Sequence, residues 1–389
     1  MKRRTHAVHS GTRRSQYGEV SEAIFLTQGF VYDSAEAAAA RFEAAGDDEF
    51  IYARFGNPTV RMFEERIAAI EGAEDGFATA SGMAAVSGAL MATLGAGGRV
   101  VASRALFGSC LYVLEEILRR YGVEVVLVDG TDLEAWRAAL QQKTDVVFFE
   151  TVSNPTLEVI DIAAVAELAH AAGACVMVDN VFATPVWSDA LSQGADVVIY
   201  SATKHIDGQG RALGGVVLGT RAFIRETIEP YMKHTGGSMS PFTAWMMLKG
   251  LETLELRVRA QTQSALAIAA AIEGHPALRR VLYPGLPSHP NHAVAKRQMG
   301  AGGTVLSLDF AGGQEAAFRF LNAIKIGVLS NNLGDAKTIL THPATTTHQR
   351  LTAEQRTRLG ITEGLVRVSI GLEATEDLLD DMRAALEAV

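Results

Sequence analysis

The feature that most constrains the fold is an alternation of short apolar runs with helical stretches through the middle of the chain. The runs are RVVAS, VEVVLVD, DVVFFE, ACVMVDN and DVVIYS, at residues 99–103, 123–129, 145–150, 174–180 and 196–201. Stretches with helical periodicity, such as IAAVAELAHAAG, separate them. Strands that are apolar on both faces and alternate with helices are typical of a parallel sheet covered by helices on each side. We therefore predict an α/β fold with a large, mostly parallel sheet.

Length and composition narrow the class of protein. The chain has 389 residues, more than one hydrophobic core usually supports, which predicts at least two domains. Its net charge of −9 argues against a nucleic-acid partner, because such proteins usually carry a basic surplus. No apolar run approaches membrane-spanning length, so we expect no membrane partner. The two cysteines, Cys110 and Cys175, predict no disulfide framework and suit a reducing cytoplasm.

We divide the chain into three segments. Residues 1–58 show little periodicity and are predicted to form an arm with oligomer contacts and a short helix near 34–45. Residues 59–250 hold the large domain, and residues 251–389 are expected to form a smaller C-terminal α/β domain. One long helix is expected over 240–274, where it would bridge the two domains.

A lysine follows the last of the apolar runs. The strand ends with Ser201, and Thr203 and Lys204 follow it. The hydroxyls of Ser201 and Thr203 alternate along the chain, so both can face one ligand. A lysine just beyond a strand is commonly an exposed surface residue. Burial would disfavour its charged form, so a buried lysine here needs a bound group that compensates for the lost solvation.

Other polar residues also follow apolar strands. Asp179 ends one strand and Asn154 follows another, while Gly82 and Met83 open a helix of small residues. Ligands of open α/β sheets bind at the carboxyl ends of the strands, and a glycine at a helix N-terminus is suited to bind phosphate. A ligand with a phosphate, a ring nitrogen, a phenolic oxygen and an aldehyde would use all of these groups. We therefore predict pyridoxal 5'-phosphate, with Lys204 bonded to the aldehyde and Asp179 keeping the ring nitrogen protonated.

Two alternative sites are disfavoured. The glycines between 208 and 215 have the spacing G-x-G-x-x-x-G, one residue off the dinucleotide fingerprint, and do not lead from a strand directly into a helix. The segment SHPNH at 288–292 is interpreted as a solvated turn, so no metal is expected. Cys110 is interpreted as a small packing residue, although it lies near Phe107.

Six motifs are spread over almost the whole chain: YARFGNPT (52–59), SGMAA (81–85), SNPT (153–156), VDNVFATP (178–185), SATKHIDG (201–208) and RVSIGLE (367–373). Together they resemble the cystathionine-synthase/lyase family of pyridoxal-phosphate-dependent enzymes in Cys/Met metabolism. The resemblance implies an aspartate-aminotransferase-like fold, known as PLP fold type I. It also implies a homotetramer, built as a dimer of dimers, with each active site shared between subunits.

The resemblance implies roles for residues around the cofactor. Tyr52 and Arg54 would reach the phosphate of the neighbouring subunit, and Tyr52 would assist Lys204 in proton transfer. Phe107 would lie over the cofactor ring. The residues implied to bind the phosphate within the subunit are Gly82, Met83, Ser201 and Thr203.

The resemblance also implies how substrate is held. Arg367 would bind the substrate α-carboxylate, since an arginine is a planar bidentate donor. Asn154 would contact the cofactor oxygen and that same carboxylate. Asn332 and Leu333 are implied to contact the substrate.

The chain departs from the family pattern at two places. Many relatives that cleave carbon–sulfur bonds have a tyrosine where ALFGSCLY places Phe107, and a phenyl ring cannot transfer a proton. Relatives that make or break cystathionine tend to read S-L-G-G-x-E-S where residues 332–338 read NLGDAKT. Both departures favour the branch in which sulfide replaces the ester group of an acylated homoserine, and the compact length favours the succinyl ester. Synthesis of cystathionine, use of the acetyl ester, lyase activity and a catalytically silent assembly module stay open as alternatives.

Overall fold

Seven strands form the larger sheet of the computed structural model, which describes residues 1–46 and 48–389. They are β1 (Asp75–Thr79), β2 (Arg99–Ser103), β3 (Glu124–Val128), β4 (Val146–Glu150), β5 (Cys175–Asp179), β6 (Val197–Ser201) and β7 (Gly215–Gly219). Their order is β1-β7-β6-β5-β4-β2-β3, and β7 runs antiparallel to both of its neighbours while the other pairs are parallel. The prediction of a large, mostly parallel sheet is confirmed, and all five predicted runs are strands.

Strands β1 and β7 were not predicted. Glycine stands at both ends of β7 and inside β1, and glycine weakens a strand pattern. The reason for glycine is contact: a Cβ added at Gly215 would lie 2.3 Å from the Ser81 carbonyl oxygen. Close backbone approach, which a one-dimensional pattern does not reveal, explains the missed strand.

The helices of the described residues cover both faces of the sheet and the second sheet. They are α1 (Arg3–His9), α2 (Ala35–Glu43), α3 (Pro58–Glu71), α4 (Gly82–Thr93), α5 (Gly108–Tyr112), α6 (Leu133–Ala139), α7 (Ile162–Ala171), α8 (Thr184–Trp187), α9 (Glu229–Thr235), α10 (Pro241–Glu252), α11 (Leu254–Ile272), α12 (His292–Gln298), α13 (Gly313–Ala323), α14 (Ala353–Arg358) and α15 (Thr375–Glu387). Ser34 caps α2, which confirms the short helix predicted in the arm.

The prediction of one continuous helix over 240–274 is wrong. The segment forms α10 and α11, which are separated at Thr253, where φ is −113° and ψ is 4°. The carbonyl of Gly250 accepts a hydrogen bond of 2.7 Å from the buried Arg257 guanidinium, so a side-chain donor competes with the helix backbone. The apolar periodicity continues across the break, which is why the sequence pattern does not reveal it.

Buried side chains line both faces of the larger sheet. Phe148 and Phe149 are consecutive in β4, are fully buried, and belong to separate apolar clusters on opposite faces. One cluster includes side chains of α4, and the other includes side chains of α3, α7 and α10. Burial on both faces is the physical reason that the strands read as continuous apolar runs.

The second sheet has five strands in the C-terminal part of the chain. They are β8 (Leu278–Leu282), β9 (Val305–Phe310), β10 (Val328–Leu329), β11 (Ile339–Thr341) and β12 (Leu365–Ser369), in the order β10-β11-β12-β9-β8. All its pairs are antiparallel except β10 with β11. This sheet packs on α11, α13 and α15 around Phe310 and Phe320. The division of the chain at residues 58 and 250 stays a prediction.

The basic N-terminal segment packs on its own subunit. Arg3 donates to the Ile70 carbonyl at 3.1 Å and pairs with Asp189 at 2.9 Å, and Arg13 pairs with Glu65 at 2.6 Å. None of the described helices has the length and apolarity needed to cross a bilayer.

The SHPNH segment is a turn, but the prediction that it is solvated is wrong for His289. This side chain is buried, and burial lowers its pKa to about 4. Ser288 and Pro290 are exposed, as predicted, while Asn291 accepts a hydrogen bond of 3.2 Å from the backbone of Val159, which joins the turn to the segment that follows β4.

Candidate active site

Three neighbouring parallel strands end at one edge of the large sheet, and each carries a polar residue there. Glu150 ends β4 and pairs in register with Asp179 at the end of β5, and Ser201 ends the adjacent strand β6. The loops that follow place Asn154 and Lys204 at the same edge. The predicted polar strand ends therefore meet at one place, as expected for a ligand site in an α/β sheet.

Lys204 is held as a half-buried amine. Its Nζ donates a hydrogen bond of 2.5 Å to Oδ1 of Asn332. Burial, and secondly the charge of Arg367, lower its pKa to about 8, while Asp179 acts in the opposite direction. Both the neutral and the charged amine are therefore accessible near neutral pH, which suits a group that accepts and returns a proton.

Asp179 keeps one carboxylate oxygen free for a cationic partner. Its Oδ1 accepts a hydrogen bond of 3.0 Å from the Val181 backbone, and no described residue donates to Oδ2. Burial raises its pKa to about 6, and the Val181 N–H and Lys204 oppose that rise. Asp179 is thus ionised at neutral pH and lacks a counter-charge in hydrogen-bond contact. A protonated ring nitrogen fits this position.

The N-terminus of α4 lies against the end of β6. Ser81 caps the helix and accepts from the Ala84 N–H at 3.1 Å. A Cβ added at Gly82 would lie 2.5 Å from the Cβ of Ser201, so glycine is required for this approach. The backbone N–H groups of Gly82 and Met83, in the first turn, have no acceptor among the described hydrogen bonds, and this end of a helix favours phosphate.

Thr203 is engaged with the backbone. Its hydroxyl donates to the Gly214 carbonyl at 3.2 Å and accepts from the Gly214 N–H at 3.0 Å. The hydroxyl therefore fixes the glycine-rich loop beside the strand end. Ser201, in contrast, forms no side-chain hydrogen bond with any described residue, so its hydroxyl is free for a ligand.

Arg367, in β12, is a buried cation without an ion-pair partner among the described residues. Only 1% of the residue is exposed. Its Nη1 donates to Oδ1 of Asn154 at 2.9 Å, and its Nη2 donates to the carbonyls of Asn331 and Asn332 at 3.0 Å each. Its buried Nε has no acceptor. Burial lowers its pKa to about 10. An anionic ligand would supply both the missing acceptor and the missing charge.

Asn332 joins the two cations of the site. Its side chain accepts from Lys204, and its backbone carbonyl accepts from Arg367. Leu333 differs, because its side chain is buried in the apolar core. The structure thus brings Asn332 to the site through hydrogen bonds, and Leu333 through its backbone position beside Asn332.

Tyr52 and Arg54 stand apart from these residues. Arg54 donates to the carbonyl of Lys233, and its guanidinium lies 4.9 Å from the ring centre of Phe55. Tyr52 is exposed. In the described part of the chain, no hydrogen bond or ion pair joins either residue to Lys204, Asp179 or Arg367.

Glu150 is a residue of this site that was not predicted from the sequence. Its carboxyl oxygen, the Cys110 sulfur and an Asp179 oxygen lie within 4.8 Å of one another. The available signal was a carboxylate that ends the run DVVFFE beside two strands with functional ends. Cys110 itself is a buried packing residue, as expected, and burial raises the pKa of its thiol, so it is not a reactive thiolate.

His348, which is buried beside Arg367, was not predicted from the sequence either. Burial, with the charge of Arg367, lowers its pKa to about 4. Its Nδ1 shares a hydrogen bond of 2.8 Å with Thr347, and its buried Nε2 has no partner among the described residues.

The site and the fold together define a pyridoxal-phosphate-dependent enzyme of the aspartate-aminotransferase-like class, fold type I. The free Asp179 oxygen, the open helix end at Gly82 and the unpaired Arg367 fit that cofactor and an amino-acid carboxylate. A family model described as "Cys/Met metabolism PLP-dependent enzyme" matches residues 4–387. The chain belongs to this family, as its motifs indicate, and the family uses pyridoxal phosphate.

Relatives extend over nearly the whole chain. The chain is 54% identical to "O-succinylhomoserine sulfhydrylase" of Mycobacterium tuberculosis (strain ATCC 25618 / H37Rv), with 98% of this chain and 95% of that protein covered. It is 48% identical to the Pseudomonas aeruginosa protein of the same name, with 99% and 95% covered. A structure of "putative O-acetylhomoserine (thiol)-lyase (metY)" of Campylobacter jejuni, which contains N'-pyridoxyl-lysine-5'-monophosphate, matches with a TM-score of 0.95 at 30% identity over 100% of both chains.

Proposed function

We propose that this enzyme catalyses a γ-replacement in which O-succinyl-L-homoserine and sulfide give L-homocysteine and succinate. The observation that carries the proposal is the arrangement of Lys204 beside Asp179, facing the unpaired Arg367 through Asn332. This arrangement supports chemistry on an amino acid. The names of the 54% and 48% identical relatives support the ester and the acceptor.

The cofactor has a complete set of partners. When bound, pyridoxal 5'-phosphate supplies a ring that withdraws electrons from the carbon beside the substrate nitrogen. Asp179 would bind the ring nitrogen, Phe107 would lie against the ring, and Asn154 would contact the phenolic oxygen. Gly82, Met83 and Ser201 would bind the phosphate, together with Tyr52 and Arg54 of a neighbouring subunit, and Thr203 would hold the adjacent glycine-rich loop through its two hydrogen bonds with Gly214.

Substrate is oriented by its α-carboxylate. Arg367 binds that carboxylate with its free Nε, and Asn154 keeps the guanidinium in its plane through the 2.9 Å hydrogen bond. Asn332 and Leu333 line the position of the substrate carboxylate, and Leu333 does so through its backbone because its side chain is buried. The hydrogen bond from Nε, together with the fixed plane of the guanidinium, sets the direction in which the side chain of the amino acid extends.

Lys204 carries the proton transfers. Its amine removes the proton of the α-carbon, and once it has released that proton the same amine removes the proton of the β-carbon; it returns protons after the new bond has formed. The bond between the γ-carbon and the ester oxygen breaks, with the electron pair leaving on succinate. Sulfide supplies the electron pair of the new carbon–sulfur bond. Phe107 has no proton to exchange, so Lys204 is assisted only by the neighbouring subunit's Tyr52.

The assembly we propose is a homotetramer, a dimer of dimers in which the arm of one subunit completes the site of another. Apolar side chains of the arm face outward: Tyr17, Val20, Leu26, Val31 and Phe42 are 84%, 91%, 74%, 93% and 66% exposed. Exposed apolar groups of this size mark protein contacts.

The unpaired Cys110 and Cys175 agree with a cytoplasmic location.

A competition experiment tests the proposed reaction. Purified enzyme receives equal amounts of O-succinyl- and O-acetylhomoserine, with sulfide and cysteine both present, and the products are identified by mass spectrometry. We expect homocysteine and succinate. Cystathionine would instead assign the chain to the synthase branch, acetate would change the ester, and ammonia with a keto acid would indicate a lyase.

A further inference from the structure

Glu150 is a buried carboxyl group that joins two loops of the active site. It is 5% exposed. Its Oε1 accepts a hydrogen bond of 2.6 Å from the Phe107 backbone, and its Oε2 accepts one of 2.9 Å from the Asn154 backbone. No basic side chain pairs with it among the residues that the structure describes.

The two loops carry different parts of the site. Phe107 begins α5 and stands where the ring of the cofactor is proposed to lie. Asn154 accepts from Arg367 at 2.9 Å and so sets the plane of that guanidinium. A single side chain therefore fixes the distance between the residue at the cofactor ring and the residue that orients the carboxylate clamp.

The position of Glu150 has an electrostatic cost. Its carboxyl faces Asp179 across the paired strands β4 and β5, and Cys110 is the third group of the cluster. Burial, and secondly the charge of Asp179, raise the pKa of Glu150 well above its ordinary value. A costly buried polar group with both oxygens in use indicates a geometric task.

We propose that Glu150 is a positioning residue that holds Phe107 and Asn154 at a fixed separation and thereby aligns the cofactor ring with the carboxylate clamp. The inference rests on the proposed function, because that function places the cofactor at Phe107 and the substrate carboxylate at Arg367. It adds a residue that touches neither ligand and acts through two backbone hydrogen bonds.

Three variants test the role. Glu150→Gln keeps the volume but has one acceptor oxygen for two N–H groups, so one hydrogen bond is lost. Glu150→Asp is too short to reach both loops. Glu71→Gln is the matched control, since Glu71 is another buried carboxyl, accepts from the Tyr200 hydroxyl at 2.6 Å, and lies outside the site.

Two measurements report alignment without turnover. The induced circular dichroism of the bound cofactor reports the orientation of its ring, and titration with L-2-aminobutyrate, which lacks a leaving group, reports the clamp. For Glu150→Gln we expect a reduced dichroic band and a roughly tenfold higher Kd for aminobutyrate, as expected for one lost hydrogen bond. Glu71→Gln should match the wild type in both, and thermal melting should not separate the two Gln variants.

Several outcomes would overturn the proposal. One is a dichroic band and a Kd within about twofold of the wild type in both Glu150 variants. Another is failure of both variants to fold, which would assign Glu150 to stability alone. A third is one equivalent of zinc in cofactor-free protein that Glu150→Gln abolishes, which would make the cluster with Cys110 and Asp179 a metal site. Because both measurements use no sulfur substrate, they stand even if the competition experiment rejects the γ-replacement.

Discussion

At the scale of single residues, the site depends on a small set of charges that are imperfectly compensated. Lys204 and Arg367 are cations, and burial lowers the pKa of each, to about 8 and about 10. Asp179 is the ionised carboxylate between the strand ends, and it has one free oxygen. Uncompensated charge is costly in a folded protein, and bound cofactor and substrate supply the missing partners.

The first prediction concerns Lys204. Lys204→Ala should lower the rate of homocysteine formation by about three orders of magnitude or more, because the proton-transfer group is lost. The loss should appear in steady-state assays with succinyl ester and sulfide. Lys143→Ala, at an exposed lysine, is the control and should keep full activity. Normal turnover by Lys204→Ala would contradict the mechanism.

The second prediction concerns Asp179 in cofactor-free protein. The pKa of Asp179 is raised from 3.8 to about 6 because burial in the folded protein makes the ionised carboxylate less stable than it is in the unfolded chain. A raised pKa contributes stability that is present below the unfolded value and is lost as pH rises through about 6. Asp179→Asn should therefore stabilise the cofactor-free protein by about 1–3 kcal/mol at pH 7.5 and by much less near pH 4.

Chemical denaturation at the two pH values checks this prediction, and cofactor titration gives its functional counterpart. The affinity of Asp179→Asn for pyridoxal phosphate should fall, since the ring nitrogen loses its charged partner. Destabilisation at pH 7.5 together with unchanged cofactor affinity would show that Asp179 is a structural carboxylate.

At the scale of secondary-structure elements, the contact between α4 and β6 shapes the phosphate end of the site. Gly82 and Ser201 meet so closely that only glycine fits. The same approach holds Gly215 of β7 against Ser81. Two glycines therefore let a helix N-terminus and two strands converge at the place where we propose that the phosphate of the cofactor binds.

The third prediction tests this contact. Gly82→Ala should lower the free energy of unfolding by about 1–3 kcal/mol and the affinity for pyridoxal phosphate by about tenfold, because α4 must move away from β6. Gly95→Ala, where an added Cβ has nothing within 4 Å, should change neither. Adding Ser201→Gly should recover part of the lost stability by removing the nearest atoms. No difference between the two alanine variants would contradict this account.

At the scale of the whole molecule, the positions of Tyr52 and Arg54 support the proposal that a neighbouring chain completes the site. Both belong to the predicted arm, and in the described part of the chain no hydrogen bond or ion pair joins them to Lys204 or Asp179. The same arm exposes several large apolar side chains. An active site shared across a subunit interface explains both observations.

The fourth prediction is recovery of activity in mixed assemblies. Lys204→Ala and Arg54→Ala chains should each be nearly inactive alone. After denaturation and co-refolding, half of random dimers pair one chain of each kind, and one of their two sites is intact. The mixture should therefore reach about one quarter of wild-type activity. Chains refolded separately and then mixed serve as the control, and absence of recovery would place Arg54 in its own subunit's site.

Much of the fold and the centre of the site follow from local pattern. Strands β2 to β6 were predicted because strands that are buried on both faces have continuous apolar runs in the sequence. Lys204, Asp179 and Asn154 were predicted as site residues because ligands of such sheets bind at the strand ends. The family resemblance added Arg367 and Asn332, which lie far from Lys204 in sequence and adjoin it in space.

What only the tertiary structure decided involves partners that are distant along the chain. Strand β7 was not predicted because Gly215 weakens the strand pattern, and glycine is needed there for close approach to the Ser81 carbonyl. The helix break at Thr253 was not predicted because it lies beside the Gly250 carbonyl, which accepts a hydrogen bond from Arg257. In the sequence, Glu150 is one of several polar residues that end apolar strands. Its role depends on two backbone N–H donors from separate loops, Phe107 and Asn154, which only the structure brings together. The sequence by itself determined which residues face inward, because the apolar side chains that are buried recur with the local period of the helix or strand that carries them. Which of them touch was decided by the packed structure, because hydrogen bonds and close contacts join residues with no fixed spacing along the chain.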